Sequence, residues 1–286
     1  MFVEKYYHSA DGLKLYYREY PGGDSGKTPL LCLHGLTRNS KDFDRFARHF
    51  MTERSIFSLD IRGRGQSQYD PDYSHYQIPT YVQDVMGFLD HRGLDRVIAV
   101  GTSMGGLISM GLGVARPDAL KAVILNDIGP DIDPEGIERI SGFVGTGIVL
   151  ADWPQAIAGM KSLIGNLFPD YSAEDWEVFT RNTFRARPDG TIIADYDQAI
   201  GTAIRESDEN AVPVDLWPLF AALGKIPVMV LRGENSDILS AETVQKMTEI
   251  HPQLTSVTVP NRGHTPDLME DISLRQIHDF LDRLTT

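Results

Sequence analysis

The chain has one cysteine among 286 residues. That scarcity excludes an internal disulfide and leaves no sign of an oxidising compartment. Cys32 lies in the apolar run Leu30-Leu31-Cys32-Leu33, where a free thiol behaves as a small hydrophobe in a buried strand rather than as a catalytic nucleophile. Basic residues are also scarce, with 27 Lys and Arg against 40 Asp and Glu and a formal net charge of −13. Nucleic acid and anionic membrane surfaces both require a basic footprint, so neither is an expected partner. No Gly-Lys-Ser/Thr sequence occurs, no His-Glu-x-x-His, and no Cys/His group at metal-ligand spacing, so neither cofactor nor metal is expected. The Gly-rich loop Gly63-Arg64-Gly65-Gln66-Ser67-Gln68 fails the dinucleotide pattern because Gln stands at position 68. It reads as a structural loop braced by Asp60 and Arg62. Residues Met1 to His8 lack a basic stretch followed by an apolar one. The weakly polar stretch 97–115 has the length of a membrane span, but it is rich in Gly and Ser and changes period midway. A soluble, cytoplasmic protein is the expectation.

What the sequence does have is a core-forming composition, 42% hydrophobic and 23% charged. Short β-branched or apolar runs recur at 13–17, 30–33, 55–59, 96–100, 122–125, 228–231 and 256–259. Most are continuously apolar, as strands covered on both faces are. Amphipathic helical stretches lie between them at 42–51, 80–92, 103–115, 241–250 and 272–284. The alternation predicts an α/β fold with a mostly parallel sheet and helices on both faces, the first run forming an antiparallel edge hairpin after Asp11-Gly12. The interval 131–214 breaks the rhythm. It is helical in flavour, interrupted by prolines, and carries the aromatics Phe143, Trp153, Phe168, Tyr171, Trp176, Phe179, Phe184 and Tyr196. It is expected to be a helical cap inserted into a core made of 1–130 and 215–286. The plainer alternative is that these are further helices of a single domain.

The chemistry centres on Val97-Ile98-Ala99-Val100-Gly101-Thr102-Ser103-Met104-Gly105-Gly106. A buried strand runs directly into a helix, and the residue at the junction is a serine with glycine two positions before and two after. Such a turn strains the central residue and presents its hydroxyl at a helix N-terminus, where free N–H groups favour a developing anion. A serine hydroxyl needs a base, and the base needs an orienting acid. Of the histidines that follow, His278 sits in the last amphipathic helix and His251 at a helix end before Pro252. His264, in Pro260-Asn261-Arg262-Gly263-His264 beyond the last strand, is the expected base. Asp237, ending the loop after 228–231, is the expected acid. Glu234 in the same loop and Asp127 after the preceding strand compete with it, since Asp127 too could reach the site. The run Leu33-His34-Gly35-Leu36 ends another strand, and the N–H groups of Leu36 and Met104 are the natural oxyanion donors. His34 is read as a loop-ordering residue that hydrogen-bonds backbone. Phe143, Trp153 and Trp176 are the expected substrate-binding residues, although the aromatics could equally form the cap's own core. Arg181, Arg185 and Arg187 read as solvated charge rather than as a carboxylate site.

Taken together, His34-Gly35, Asp60-x-Arg62-Gly63-x-Gly65-x-Ser67, the turn at Ser103, the Gly-x-x-Ser-Asp loop of Asp237 and Gly263-His264 resemble the α/β-hydrolase superfamily over nearly the whole chain. The resemblance implies an eight-stranded, mostly parallel sheet with a helical lid after the sixth strand. It is nearest to the lidded esterases, lactonases and C–C hydrolases. Epoxide hydrolases and haloalkane dehalogenases carry Asp at the nucleophile position, and C–C hydrolases usually carry Asn just before it. Here those positions are Ser103 and Thr102. The resemblance therefore implies hydrolysis of a small, largely apolar ester or lactone through an acyl-enzyme, with a small-molecule substrate as partner. A C–C hydrolase, an acyltransferase or perhydrolase with the same triad, and a non-catalytic ligand receptor on the same fold remain as alternatives. The sequence carries no sign of oligomeric state.

Overall fold

The computed structural model describes residues 1–23, 26–208 and 215–284. In chain order the first half contains β1 (Val3–His8), β2 (Lys14–Tyr20), β3 (Leu30–Leu33), α1 (Asp44–Phe50), β4 (Ile56–Leu59), α2 (Ile78–Arg92), β5 (Val97–Thr102), α3 (Met104–Ala115) and β6 (Leu120–Asn126). After a long excursion come α8 (Trp217–Ala221), β10 (Val228–Gly233), α9 (Ala241–Ile250), β11 (Thr255–Val259) and α10 (Asp271–Arg283). The excursion itself holds α4 (Pro134–Ser141), β7 (Val149–Leu150), α5 (Trp153–Ile164), α6 (Ala173–Thr183), β8 (Phe184–Ala186), β9 (Ile192–Ala194) and α7 (Ala199–Asp208). The expected cap boundary at 214 and the last core residues, 285–286, lie outside the described residues.

The main sheet has eight strands in the order β1-β2-β4-β3-β5-β6-β10-β11. The β1/β2 and β2/β4 pairs are antiparallel and the rest are parallel. This is the α/β-hydrolase architecture expected from the sequence. The edge hairpin is also present, with Val3–His8 as its outer strand.

Why these runs form a sheet is visible in how their side chains divide. Along β5, Val97 and Ala99 join one apolar cluster and Ile98 and Val100 join the other. The same division holds in β3, where Leu31 and Leu33 lie on one face and Leu30 and Cys32 on the other, and in β10, with Val228 and Val230 opposite Met229 and Leu231. Successive strand residues point to opposite faces, so a strand apolar at every position must be covered twice. One cover draws on α2, α3 and α8, the other on α1 and α10. Each fully buried aliphatic side chain here contributes about 1.5–3 kcal/mol of transfer free energy. Cys32 is buried, and burial pushes its thiol well above its ordinary value, which leaves it inert.

The insertion between β6 and β10 differs from the sequence expectation in one respect. Besides its helices it contains a three-stranded antiparallel sheet, β7-β9-β8. Strands of two or three residues are too short to show an alternating pattern in the sequence. The segment after β9 is fastened to the core by backbone hydrogen bonds, Gly65 N–H to Asp195 C=O (2.9 Å) and Asp197 N–H to Gly63 C=O (2.7 Å). Among the described residues, no helix is long and apolar enough to cross a membrane.

The loop after β4 is held by a buried ion network. Arg62 is 1% exposed. Its guanidinium meets Asp84 through two bonds (2.7 and 2.6 Å), Asp70 (2.6 Å) and Asp11 (2.8 and 3.1 Å). The guanidinium holds the Asp11 carboxyl down at about 2, whereas burial raises Asp84. Breaking a buried network by removing one partner leaves the others uncompensated, so Arg62→Met is expected to lose about 3–5 kcal/mol of stability in urea unfolding near neutral pH. The pH dependence should shift towards stability in acid, because Asp11 and the already raised Asp84 both lose the guanidinium that lowers them. In the native chain, stability contributed by Asp11 is present above its unfolded pKa, roughly 4, and is lost as pH falls towards 2. In Arg62→Met the bereaved carboxylates hold protons more tightly when folded, so the variant should gain stability on acidification from neutrality. Denaturant midpoints compared across that range would check it.

Candidate active site

Ser103 sits between β5 and α3 at φ 51°, ψ −116°, a left-handed conformation that a residue with a side chain rarely adopts. The chain can turn so sharply only because its neighbours are small. A Cβ on Gly101 would collide with the Gly105 carbonyl, and one on Gly105 with the Leu33 carbonyl oxygen. The Ser103 N–H donates to Asn126 C=O (3.0 Å), which ties the turn to the end of β6. Its hydroxyl does not cap the helix and is free to face His264.

The Ser103 Oγ–H donates to His264 Nε2 at 2.8 Å. The proton on His264 Nδ1 is donated to Asp127 Oδ2, also at 2.8 Å. This tautomer is the one consistent with a carboxylate on Nδ1 and a hydroxyl proton on Nε2. Asp127 is fully buried, and its carboxylate accepts two further bonds: Gly233 N–H to Oδ1 (2.8 Å) and Ser236 Oγ–H to Oδ2 (2.6 Å). Three donors thus satisfy a charge that would otherwise be costly to bury.

The expected acid, Asp237, is therefore corrected. It forms a two-pronged ion pair with Arg139 of α4, one bond of which is 2.9 Å (Nη2 to Oδ1). Glu234 is exposed and accepts from Asn261 N–H. The reason is the path of the loop after β10. At 236 the chain places a serine against Asp127, and the Ser236 Oγ accepts the N–H groups of Ile238 and Leu239 (3.2 and 3.0 Å). That tight turn sends the Asp237 side chain to the insertion instead. Asp127 needs no loop at all. It follows β6 directly, and the strand register sets Asn126 opposite Thr102, so Asp127 and Ser103 emerge side by side.

The loop after β3 lies on the other side of Ser103. A Cβ placed on Gly35 would lie 3.7 Å from Ser103 Cβ, which puts this loop against Ser103. Leu36 follows it along the cavity wall, and Met104 opens α3. His34 plays the loop-ordering part expected of it. Its Nδ1 donates to Gly35 C=O (2.7 Å) and its Nε2 accepts from Ile61 N–H (3.0 Å). Burial pushes it down to about 3, so it stays neutral.

Ser103 and His264 open into a cavity of about 770 Å³. Its far wall comes from the insertion, including Phe143, Leu150, Met160, Leu163 and Phe179. Of the three aromatics expected to bind substrate, only Phe143 lines it. Trp176 is corrected: it is 2% exposed and packs with Ile164, Leu167 and Phe168 as the insertion's own core. Trp153 is corrected as well, because its ring lies 4.5 Å from the Arg181 guanidinium, away from the cavity. Arg181 also pairs with Glu177, Arg185 lies 3.5 Å from Asp195, and none of Arg181, Arg185 and Arg187 lines the cavity. Residues with no obvious sequence signal complete the site. Asn126 Nδ2 donates to Pro266 C=O and Thr102 Oγ1 (2.9 and 3.1 Å), joining the serine turn to the histidine loop. Asp267, bonded by Tyr171 Oη–H of the insertion (2.6 Å), lines the cavity with its carboxyl pushed up to about 6 by burial.

The alpha/beta hydrolase fold family matches residues 28–157. The 3-hydroxybutyrate-oligomer hydrolase of Cupriavidus necator is 31% identical, the match covering 90% of this chain and 89% of that protein. The chain belongs to the α/β-hydrolase family. The sn-1-specific diacylglycerol lipase of Mus musculus is 34% identical over 92% of this chain and 82% of the relative. The crystal structure of an α/β hydrolase from Novosphingobium aromaticivorans superposes with a TM-score of 0.93 at 39% identity, covering 99% and 98% of the two chains.

For this α/β hydrolase, the geometry makes a direct comparison of two carboxylates informative. Asp127→Asn should lower kcat for hydrolysis by roughly 10⁴-fold, since the wrong imidazole tautomer is then held. Asp237→Asn should leave kcat within about threefold and act instead on stability, as loss of a partly exposed ion pair does. Parallel steady-state kinetics on the two variants decides between them.

Proposed function

We propose that this protein is a serine hydrolase that cleaves small, uncharged carboxylic esters through an acyl-enzyme. The observation that carries the reading is the unbroken hydrogen-bond chain from Ser103 through His264 to Asp127 at the floor of an apolar cavity. His264 Nε2 takes the Ser103 proton as Oγ attacks the ester carbonyl carbon. Asp127 keeps the imidazole in its tautomer and stabilises the imidazolium. The negative charge formed on the carbonyl oxygen is received by the N–H groups of Leu36 and Met104. Collapse of the tetrahedral intermediate breaks the bond to the alcohol oxygen, which leaves with the proton from His264. Water then attacks the acyl group, giving its proton to His264, and the second collapse releases the carboxylic acid and returns the proton to Ser103 Oγ.

The preference for an uncharged substrate rests on the cavity's cations. Arg38 is paired with Asp42, Lys41 with Asp195, Arg45 with Asp175 and Arg139 with Asp237. Each is already matched, so a substrate carboxylate would have to displace a protein carboxylate. The volume falls within the usual range for small-molecule sites, and the insertion acts as the cap that closes over the acyl or alcohol group. The printed names of two relatives, a hydroxybutyrate-oligomer hydrolase and a diacylglycerol lipase, fit ester chemistry.

Hydrolysis of p-nitrophenyl butyrate tests the reading. Ser103→Ala should lower kcat by roughly 10⁴- to 10⁶-fold, and near-normal turnover by that variant would overturn it. Substrate size should follow the insertion's wall. Met160→Trp is expected to cut kcat/KM for an octanoate ester by roughly tenfold or more relative to an acetate ester, in line with the 10- to 200-fold that a misfit in an apolar pocket costs.

A further inference from the structure

Two arginines, two residues apart in the loop after β4, are provided for in opposite ways. Arg62 is surrounded by carboxylates. Arg64 is equally buried, at 0% exposure, yet among the described residues no carboxylate oxygen lies within ion-pair distance of it. Four of its five N–H donors meet neutral acceptors. Nε donates to Leu36 C=O (2.9 Å), Nη1 to Arg62 C=O (2.8 Å) and Tyr81 Oη (2.9 Å), and Nη2 approaches Met104 Sδ at 3.6 Å. The rings of Tyr81 and Tyr76 lie 4.9 and 5.6 Å from its central carbon.

A buried cation without a counter-ion is a destabilising choice where a neutral side chain of similar volume would fill the space. What it touches gives that charge a use. Leu36 and Met104 are the two residues whose amides would receive the oxyanion, and this one guanidinium contacts both. With His34 fastened to Gly35 C=O and Arg64 to Leu36 C=O, consecutive carbonyls of the loop are held from behind. In a low-dielectric interior, a positive charge held against Leu36 and Met104 without an ion-paired carboxylate acts on the developing oxyanion more strongly than it would in water, and it exerts little pull on an uncharged ester.

We propose that Arg64 is a positioning residue of the oxyanion site: it fixes Leu36 and Met104 and supplies an uncompensated positive charge that favours the tetrahedral intermediate over the bound substrate. The inference rests on the proposed serine-hydrolase reading, and the two fail separately. Activity surviving Ser103→Ala sinks the reading, whereas Ser103→Ala inactive with Arg64 variants unaffected sinks only this inference.

The test uses Arg64→Met, Arg64→Gln and Arg64→Lys, with kcat and KM on p-nitrophenyl butyrate. Alongside, it uses the affinities of an alkyl trifluoromethyl ketone, which forms an anionic adduct with the serine, and of the matching amide, which does not. Arg64→Met and Arg64→Gln should lower kcat by roughly 10- to 100-fold, less than the 10²- to 10³-fold of losing a direct donor, with KM within about threefold. Affinity for the trifluoromethyl ketone should fall in step with kcat while amide affinity holds. Arg64→Lys should recover most of the loss. A kcat within about twofold of wild type in Arg64→Met, or KM and amide affinity shifting as much as kcat, would overturn the proposal. Should Arg64→Met not fold, Arg64→Gln against Arg64→Lys decides alone: a lysine variant at least about fivefold faster supports the role of charge, and equal rates overturn it.

Discussion

Everything in the site follows from a steric constraint at the end of β5. The chain must leave a strand and enter a helix within one residue, and it can do so only with Ser103 at positive φ and glycine at 101 and 105. That turn leaves the hydroxyl uncommitted, sets the first amide of α3 beside it, and hands the Ser103 N–H to Asn126. Asn126 in turn bonds the backbone after His264. A strained residue of this kind costs on the order of 1–3 kcal/mol, and the two apolar layers on the sheet are what hold it in place.

The sheet and the strained turn at Ser103 were legible because each rests on a local rule. An apolar run must be covered twice, and a glycine-flanked serine between strand and helix has few other uses. His264 was legible because the other histidines downstream of Ser103 sit at or within helices. The carboxylate that faces His264 was not, because both Asp127 and Asp237 follow strands that end at the same rim. The choice between them depends on how far a loop turns, which the tight turn at Ser236 decides and no periodicity records. The insertion's small sheet escaped for a related reason, its strands being two or three residues long. Aromatic content alone did not separate Phe143, on the cavity wall, from Trp176, in the insertion's own core.

The loop Asp60–Ser67 turned out to do more than brace itself. The Asp60 carboxylate accepts the N–H groups of Ser40 and Gln66 (2.6 and 2.8 Å), with its carboxyl pushed up to about 6 by burial. Arg62 gathers three carboxylates, and Arg64 reaches Leu36 after β3 and Met104 at the start of α3. The same short segment also receives the backbone of Asp195 and Asp197 from the insertion. It is the place where core, insertion and the loop after β3 are physically joined.

The position of Asp127 has a consequence for how such a protein can change. Ser103, Asp127 and His264 all stand on core strands or the loops that leave them, and the partners of Asp127, Gly233 and Ser236, do too. The chain departs into the insertion only after Asp127 has been placed. Among the described residues, the segment that supplies most of the cavity's apolar wall therefore contributes no atom to the hydrogen-bond chain from Ser103 to Asp127. Exchange or remodelling of that segment could alter which molecules fit while the reacting groups keep their distances, so that selectivity and reactivity can be inherited as separate parts of one chain.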